Sequence, residues 1–295
     1  MPTKPLQETW VSRSWAKINL GLQVLSRRQD GYHNISTGFC FINWSDRFEV
    51  RRTEKDRLWL TNSQIPADRQ NLILRAKERL FEATGSNPQL DIGVEKFIPS
   101  GAGLGGGSSN AATILRIIRK MEALDLTENN MSALVCGLGA DISFFIYGKT
   151  GIGAGDGSDI SFHDIQPEAW ILTVFPDIHV STPEAYRHCK PDDNPDFPLE
   201  QILLEEPLEE WRHFLGNDLE PWAILQHPII GHIKDQLYEL GAVYSSMSGS
   251  GSSVYGLFQQ EFVAVEAYNM FLDLGYPACL TPPLFLPDAG VYKSS

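Results

Sequence analysis

Residues 99–113 read Pro-Ser-Gly-Ala-Gly-Leu-Gly-Gly-Gly-Ser-Ser-Asn-Ala-Ala-Thr, and no other stretch says as much about the fold. Its five glycines allow backbone N–H groups to approach a ligand without an intervening side chain. Ser108 or Ser109 is a suitable N-cap for the helix that the apolar spacing from Ala111 onward predicts. A glycine-rich loop that leads into a helix directs free N–H donors and the positive end of the helix dipole at one point. The stretch therefore predicts a phosphate-binding loop.

Two other nucleotide-binding motifs fit the sequence less well. A Walker A loop needs G-x-x-x-x-G-K-[ST], and residues 148–150 supply its Gly-Lys-Thr end, but Ser143 stands where the first glycine belongs. Residues 101–106 satisfy the dinucleotide pattern G-x-G-x-x-G, but two residues separate them from the predicted strand and Glu122 falls at the end of the helix. A dinucleotide oxidoreductase stays open as an alternative that the absence of NAD binding would exclude.

Length and composition limit the classes of protein to which the chain can belong. Its 295 residues, 42% of them hydrophobic, suffice for two domains or one large one, with a sizeable core. The net charge of −13 argues against a nucleic-acid-binding protein, which would need a basic surface, but allows a small anionic ligand where local dipoles attract it. No run of about 18 apolar residues occurs, so we expect no membrane span.

The cysteines and the N-terminal segment indicate in which cellular compartment to expect the protein. The four cysteines show no C-x-x-C spacing, so neither a zinc site nor a disulfide framework is predicted for Cys40, Cys136, Cys189 and Cys279. Residues 1–10 are polar and contain two prolines, unlike a secretory signal. We therefore expect a reduced, cytoplasmic protein.

Patterns along the chain predict two domains divided near residue 160, so that 1–160 form the first and 161–295 the second. Residues 14–24 alternate between apolar and polar, which predicts a half-buried strand with Lys17 and Asn19 on its polar face. The other predicted strands are 39–44, 47–51, 90–98, 143–147, 170–175, 244–256 with a break at 247–252, and 276–281. Besides the helix that follows the glycine-rich loop, the sequence predicts helices at 71–81, 127–136, 197–205, 209–213, 229–240 and 262–274.

Four features follow one another in order: Lys17 on the first strand, the loop at 101–107, Asp141 after Gly-Leu-Gly-Ala, and a Gly-Ser-rich segment at 248–252. Together they resemble the GHMP kinase superfamily, whose members phosphorylate small alcohols with ATP. The resemblance implies an α+β fold of two domains with the active site between them. The N-terminal ATP-binding domain would be of the ribosomal protein S5 domain 2-like type, with a left-handed β-α-β crossover, and the C-terminal domain would be ferredoxin-like. The oligomeric state stays open between a monomer and a weak homodimer.

Shorter motifs narrow the resemblance to one branch of the superfamily. They are Ala-Lys-Ile-Asn-Leu-Gly-Leu at 16–22, Asp-Gly-Tyr-His at 30–33, Gly-Ala-Asp at 139–141 and Thr-Pro at 182–183. They resemble the kinases that phosphorylate the 2-hydroxyl of 4-diphosphocytidyl-2-C-methyl-D-erythritol, a cytidine diphosphate-linked methylerythritol of the non-mevalonate isoprenoid pathway. The chain departs from that family at Ser143, where proline is usual, and in the glycine-rich segment 151–157. A kinase for mevalonate, homoserine or a sugar and a non-catalytic relative remain alternatives, which nucleotide turnover would separate.

The resemblance also implies roles for individual residues. Asp141 would take the proton from the substrate hydroxyl, and Lys17 would orient that hydroxyl and keep the carboxylate ionised. The substrate would be bound by Asn19 at the erythritol end, by Tyr32 and Tyr186 stacked on the two faces of the cytosine, and by His33 at its edge. ATP would contact Pro99, Ser100, Gly101, Ala102, Gly103, Leu104, Gly105, Gly106, Gly107, Ser108, Ser109, Asn110, Asn71 and Lys96. Ser108 would also bind Mg²⁺, and Gly249 and Gly251 would close the site.

Overall fold

The computed structural model describes residues 8–63 and 65–294, and within them the chain forms eleven strands and ten α-helices. The strands are β1 (Thr9–Arg27), β2 (His33–Arg52), β3 (Arg57–Thr61), β4 (Leu90–Glu95), β5 (Gly151–Ala154), β6 (Asp159–Phe162), β7 (Trp170–Val174), β8 (Tyr244–Met247), β9 (Val254–Phe258), β10 (Ala278–Thr281) and β11 (Val291–Ser294). The helices are α1 (Leu72–Thr84), α2 (Gly106–Met121), α3 (Glu128–Leu134), α4 (Ile142–Tyr147), α5 (Thr182–His188), α6 (Leu199–Glu205), α7 (Trp211–Phe214), α8 (Glu220–Gln226), α9 (Pro228–Glu239) and α10 (Glu261–Asp273). Most of the polar N-terminal segment considered above, residues 1–7, lies outside the described residues.

The first sheet has seven strands, in the order β11-β1-β2-β4-β3, with β5 paired to β2 and β6 to β5. Its centre is the long antiparallel hairpin of β1 and β2, in which Lys17 pairs with Phe41 and Asn19 with Phe39. Strands β3 and β4 lie side by side and parallel, with α1 between them in the sequence. Helices α1 and α2 pack together and contribute buried apolar side chains to the core against this sheet.

Strand β1 is buried on both faces over its central part, so the prediction of a half-buried strand is wrong. Lys17 is only 3% exposed and Asn19 only 4% exposed. The glycine-rich loop covers this polar face, because the C=O of Leu104 accepts the N–H of Lys17 at 3.1 Å. The second sheet covers it too, because the hydroxyl of Tyr255 donates to the C=O of Asn19 at 2.9 Å. A polar pattern in sequence cannot show that distant segments later pack on that face.

The second sheet has four strands in the order β10-β7-β9-β8, and every neighbouring pair is antiparallel. Helices α9 and α10 pack against it and bury apolar side chains with those of its strands. In chain order the elements run β7, α9, β8, β9, α10 and β10, with α5 to α8 inserted after β7. This is the β-α-β-β-α-β arrangement of a ferredoxin-like domain. The predicted α+β fold with a ferredoxin-like C-terminal part is therefore confirmed.

The chain passes from the first sheet to the second between β6 and β7 and returns to the first sheet at β11. Residue 160, where the sequence places the division between domains, lies within β6. The end of the chain returns to the first sheet, because β11 pairs antiparallel with β1. Within residues 8–63 and 65–294, no helix has both the length and the apolar character that crossing a membrane requires.

Residues 143–147 belong to helix α4, so the strand predicted there is wrong. The five residues Ile142–Ile146 are all buried, and the helix ends at Gly148 in the left-handed region with φ 64°. A buried run of four apolar residues and one serine is compatible with a buried strand or with a buried helix, and periodicity alone cannot distinguish them.

Helix α2 begins earlier than the sequence suggests. Its first residue is Gly106, and Gly105 occupies the N-cap with φ 68° and no side-chain capping bond. Ser108 and Ser109 therefore lie in the first turn, and the prediction that one of them is the N-cap is wrong. Ser109 is instead buried, where its hydroxyl accepts a hydrogen bond from that of Ser14 at 2.8 Å. The physical reason is that glycine reaches a left-handed N-cap that serine avoids.

Candidate functional site

A cavity of about 850 Å³ opens between the two sheets, and most residues that the sequence singles out for catalysis and substrate binding lie on its wall. The wall is formed by β1, the turn at 30–33, the glycine-rich loop at 103–105, the entry to α4 at 140–141, helix α5 and the Gly-Ser-rich segment at 249–250. A concave site of this volume accommodates a small-molecule ligand.

A lysine and a carboxylate face each other in this cavity. Nζ of Lys17 lies 3.4 Å from Oδ2 of Asp141. The same ammonium donates to the C=O of Gly103 at 3.0 Å and to Oδ1 of Asn19. The lysine side chain is 4% exposed, whereas that of Asp141 is 28% exposed. Three oxygen atoms therefore fix the cation, while the carboxylate keeps an exposed edge toward the cavity.

Asp141 stands at the point where the turn after α3 enters α4. Its backbone has helical dihedrals, φ −76° and ψ −9°, and its side chain makes no capping hydrogen bond to the helix. An aspartate after Gly-Ala is often a cap. Here the carboxylate is not used in that way, so it remains available to the cavity and to Lys17.

The glycine-rich loop adopts backbone angles that favour glycine. Gly101, Gly103 and Gly105 have φ angles of 66°, 76° and 68°. A Cβ atom at Gly103 would lie 2.1 Å from the carbonyl oxygen of Ser248, so no side chain fits at this position. The C=O of Gly103 accepts hydrogen bonds from the hydroxyl of Ser248 at 2.9 Å and from Lys17. The loop is thereby held against both sheets at the place where it meets Lys17.

The Gly-Ser-rich segment between β8 and β9 completes this side of the cavity. The hydroxyl of Ser248 accepts the N–H of Asn19 at 3.1 Å. Asn217 holds the segment from behind, because its Nδ2 donates to the C=O groups of Met247 and Gly249, both at 2.8 Å. Of the two glycines predicted to close the site, Gly249 lies on the cavity wall and Gly251 does not. The contacts of Asn217 give the 217–220 stretch a structural role.

Comparison of the sequence with known protein families and proteins shows which family the chain resembles. The family description "GHMP kinases N terminal domain" matches residues 71–149, and "GHMP kinases C terminal" matches residues 200–276. Over 278 residues the chain is 36% identical to the 4-diphosphocytidyl-2-C-methyl-D-erythritol kinase of Prosthecochloris aestuarii, an alignment that covers 92% of this chain and 97% of that protein. This chain belongs to the GHMP kinases.

Other relatives support the same placement. The 4-diphosphocytidyl-2-C-methyl-D-erythritol kinase of Parabacteroides distasonis is 41% identical over 249 residues, which are 83% of this GHMP kinase and 90% of that protein. A crystal structure of 4-(cytidine 5'-diphospho)-2C-methyl-D-erythritol kinase is similar with a TM-score of 0.79 and 34% identity, covering 92% of this chain and 98% of the other. A homoserine kinase from Cytophaga hutchinsonii, at 17% identity and a TM-score of 0.71, shares the fold.

Part of the cavity wall of this GHMP kinase carries the aromatic residues predicted to hold a base. The rings of His33 and Tyr186 stack on each other, with centroids 5.1 Å apart and planes 23° apart. Tyr32 lies on the neighbouring turn and is 69% exposed. The structure thus brings the three residues to one cavity, and His33 covers one face of the Tyr186 ring. That Tyr32 and Tyr186 hold a cytosine between them stays a prediction.

Burial affects the ionisation of both stacked rings. Desolvation, with the positive charge of Arg27, lowers the pKa of His33 below its ordinary value of 6.5. The imidazole is therefore neutral near physiological pH and offers one N–H donor and one acceptor nitrogen. Burial, together with the negative charge of Asp141 and the nearby Cys189, raises the pKa of Tyr186 above its ordinary value. Its hydroxyl stays protonated and can donate a hydrogen bond into the cavity.

The residues predicted for the adenosine end lie apart from the cavity wall described above. Asn71 is the N-cap of α1, where its side-chain oxygen accepts the N–H of Ile73 at 3.0 Å. Lys96 is only 5% exposed, and its ammonium donates to Asp46 and to Oδ1 of Asn110, the latter at 2.8 Å. Contact of Asn71, Lys96 or Asn110 with a nucleotide stays a prediction.

Ser108 is the residue predicted to bind Mg²⁺, and it lies in the first turn of α2. Its hydroxyl lies 3.5 Å from where a Cβ at Gly139 would be, next to the turn that leads to Asp141. Mg²⁺ takes oxygen ligands and is usually completed by substrate phosphates and water. In the part of the chain that the structure describes, no group of three or more His, Cys, Asp or Glu side chains is arranged to hold a metal ion.

Sequence analysis missed three charged residues of the wall, Arg27, Asp156 and Arg187. Arg27 ends β1, and Arg187 lies on α5, a helix that hydrophobic periodicity did not predict. A proline in the first turn of α5 is a helix-start signal that could have revealed it. The two guanidinium groups place positive charge near the stacked aromatic rings, which suits an anionic ligand.

Proposed function

We propose that this chain is an ATP-dependent kinase that phosphorylates the 2-hydroxyl of 4-diphosphocytidyl-2-C-methyl-D-erythritol, a step of the non-mevalonate isoprenoid precursor pathway. The observation that carries the proposal is the pair of Lys17 and Asp141, 3.4 Å apart in a cavity beside the glycine-rich loop. Membership of the GHMP kinases and the names of relatives that span nearly the whole chain support the choice of reaction and acceptor.

The pair can perform the transfer step. Phosphoryl transfer needs a positioned hydroxyl, a donor phosphate in line with it, and positive charge where the transition state gathers negative charge. The exposed edge of Asp141 accepts the hydroxyl proton as the substrate oxygen bonds to the γ-phosphorus, while the bond to the bridging β–γ oxygen breaks and ADP leaves. Lys17 supplies positive charge beside the reacting atoms. Its three oxygen partners keep it in place, so little reorganisation accompanies the reaction.

We assign the triphosphate to the loop at 101–107 and the start of α2. Gly105 has no side chain to cap the helix, and the first backbone N–H groups of an α-helix have no intrahelical acceptor. Those donors and the dipole of a 16-residue helix favour an anion at this end. Mg²⁺ bound through Ser108 and phosphate oxygens would add positive charge to the same region.

We assign the cytidine diphosphate to the opposite end of the cavity. The neutral imidazole of His33 can both donate to and accept from the edge of a cytosine, and Tyr186 offers a ring on which the base stacks. Tyr32 is exposed and therefore free to close over the base. Arg27 and Arg187, the latter paired with Glu184 at 2.5 Å, line the same cavity and would supply positive charge to the two phosphates of the acceptor. The erythritol then extends toward Asn19 and Lys17.

The proposed enzyme works on a small molecule with groups from one chain. Lys17, Asp141, the two glycine loops and the aromatic residues of the chain line one cavity, and the proposal covers a monomer or a weak homodimer. All four cysteines are free, and this suits the reducing conditions of the cytoplasm.

Release of ADP tests the proposal directly. The protein is supplied with ATP and Mg²⁺ and, in parallel reactions, with 4-diphosphocytidyl-2-C-methyl-D-erythritol, mevalonate or homoserine. We expect turnover with the cytidine compound alone. Turnover with another alcohol alone would retain a kinase but refute the acceptor roles of Tyr32, His33 and Tyr186. ATP binding without turnover on any acceptor would favour a non-catalytic relative.

A further inference from the structure

A carboxylate that the proposed mechanism does not use lies fully buried behind the glycine-rich loop. Asp46, on β2, is 0% exposed and accepts four hydrogen bonds. Its Oδ1 receives the backbone N–H groups of Phe97 and Ile98, at 2.8 and 2.9 Å. Its Oδ2 receives Nδ2 of Asn110 at 2.8 Å and the ammonium of Lys96. One carboxylate therefore joins the segment that enters the loop to the helix that leaves it.

The same network extends to the strand that carries the catalytic lysine. The hydroxyl of Ser14, on β1, accepts Nδ2 of Asn110 at 2.9 Å and donates to the hydroxyl of Ser109 at 2.8 Å. Ser14 and Asn110 are 0% and 4% exposed, so water does not compete for these contacts. Three residues further along β1 stands Lys17. The network thus fixes both sides of the loop relative to the lysine that contacts it.

A buried ion pair is an expensive way to obtain stability alone. Removing two charges from water costs several kcal/mol per ion, and apolar side chains of similar size often stabilise a core as well. Directional hydrogen bonds, in contrast, set positions. The four partners of Asp46 lie on either side of residues 99–107. Three of them, at 96–98, come just before Pro99, and the fourth, Asn110, lies near the start of α2.

From this arrangement we infer that Asp46 is a positioning residue for the phosphate-binding loop, with Lys96 as its buried counter-ion rather than a contact to adenosine. The inference rests on the proposed function, because it assigns the loop to ATP. Asp46 does not touch the nucleotide. It holds the backbone N–H groups of the loop and of α2 where the triphosphate needs them.

Ligand binding by an Asp46→Asn variant tests this role. Asparagine keeps the size of the side chain but presents an N–H₂ group to Lys96 and Asn110 in place of an acceptor oxygen. We expect the Kd of a non-hydrolysable ATP analogue to rise about 10-fold, by analogy with residues that orient metal or substrate ligands. The Kd of cytidine diphosphate, at the other end of the cavity, stays within about twofold because no contact of Asp46 reaches that end. Asp91→Asn is the matched control, since Asp91 lies on β4 in a partly exposed ion pair with Arg51 at 3.7 Å.

A second substitution separates positioning from direct contact. In Asp46→Asn/Lys96→Met the unpaired ammonium is gone, so the double variant should bind the ATP analogue more tightly than Asp46→Asn alone. If Lys96 contacted adenosine, the second change would weaken binding further, and the inference would be overturned. Unchanged affinity of Asp46→Asn for the ATP analogue would overturn it as well, as would equal losses for both ligands.

Two further measurements keep the test decisive. Should Asp46→Asn fail to fold, Ser14→Ala removes only the outer hydrogen bonds of the network, and we expect its affinity for the ATP analogue to fall roughly threefold. No change in a folded Ser14→Ala would then overturn the inference. The wild-type protein is measured first: absence of ATP binding there refutes the proposed function itself, whereas normal wild-type binding with an unaffected variant refutes only the role of Asp46.

Discussion

Replacing Gly103 by alanine should damage catalysis far more than an added methyl group suggests. The new Cβ would lie 2.1 Å from the carbonyl oxygen of Ser248, where real Cβ contacts essentially never fall below 3.0 Å. The two loops must therefore separate by about 1 Å, and a displacement of that size at a reacting group can cost about 100-fold in rate. The same carbonyl group of Gly103 also accepts from Lys17, so the lysine moves with it. We expect kcat/KM for ATP to fall about 100-fold.

Gly85→Ala is the matched control for this prediction. Gly85 has φ 72°, close to the 76° of Gly103, but a Cβ there would meet nothing within 4 Å. Both variants share the cost of a left-handed alanine, about 1 kcal/mol of folding stability, and only Gly103→Ala adds the collision. Steady-state ADP release with a thermal melt of each variant provides the comparison. Near-normal kcat/KM in Gly103→Ala would refute the packing of the two loops.

Three further predictions concern single side chains. Asp141→Asn should lower kcat by about 10²–10⁴ while leaving the Kd of ATP unchanged. Asp159→Asn, at an exposed position on β6, is the control. A normal kcat in Asp141→Asn would exclude Asp141 as the base. Because burial lowers the pKa of His33, the KM of the cytidine acceptor should be flat above about pH 6.5 and rise only at lower pH, where the ring gains a proton and loses its acceptor nitrogen. His33→Asn should lack this rise, and an identical pH profile would contradict the assignment. Tyr186→Phe should keep the acceptor KM within about threefold and Tyr186→Ala should raise it about 10-fold, as loss of base stacking requires, whereas equal values for both would argue against stacking.

Local signals in the sequence explain what could be predicted about this chain. The helices predicted to begin at residues 71 and 127 do begin there, because Asn71 caps α1 and Thr127 caps α3. The glycine-rich loop was recognisable because left-handed backbone angles demand glycine at fixed places. Lys17 and Asp141 were found through the motifs around them, and the structure brings them together at 3.4 Å.

The features that sequence analysis missed depend on residues far apart in the chain. Asp46 lies about 50 positions before its partners at 96–98, and nothing near it in the sequence marks it as more than a surface carboxylate on a strand. The second face of β1 is buried by segments more than 80 and 220 residues away. The short helix α4 was mistaken for a strand because Ile142–Ile146 are all buried and mostly apolar, and burial on all sides removes the periodicity that separates a helix from a strand.

The identity of the phosphorylated product tests the central claim most directly. Wild-type protein is incubated with ATP, Mg²⁺ and 4-diphosphocytidyl-2-C-methyl-D-erythritol, and the reaction is followed by ³¹P NMR while ADP is quantified. The pairing of Lys17 and Asp141 beside the phosphate-binding loop predicts one new phosphomonoester signal on the methylerythritol for each ADP formed. Inorganic phosphate in place of that signal, or ADP formed at the same rate without the acceptor, would contradict it.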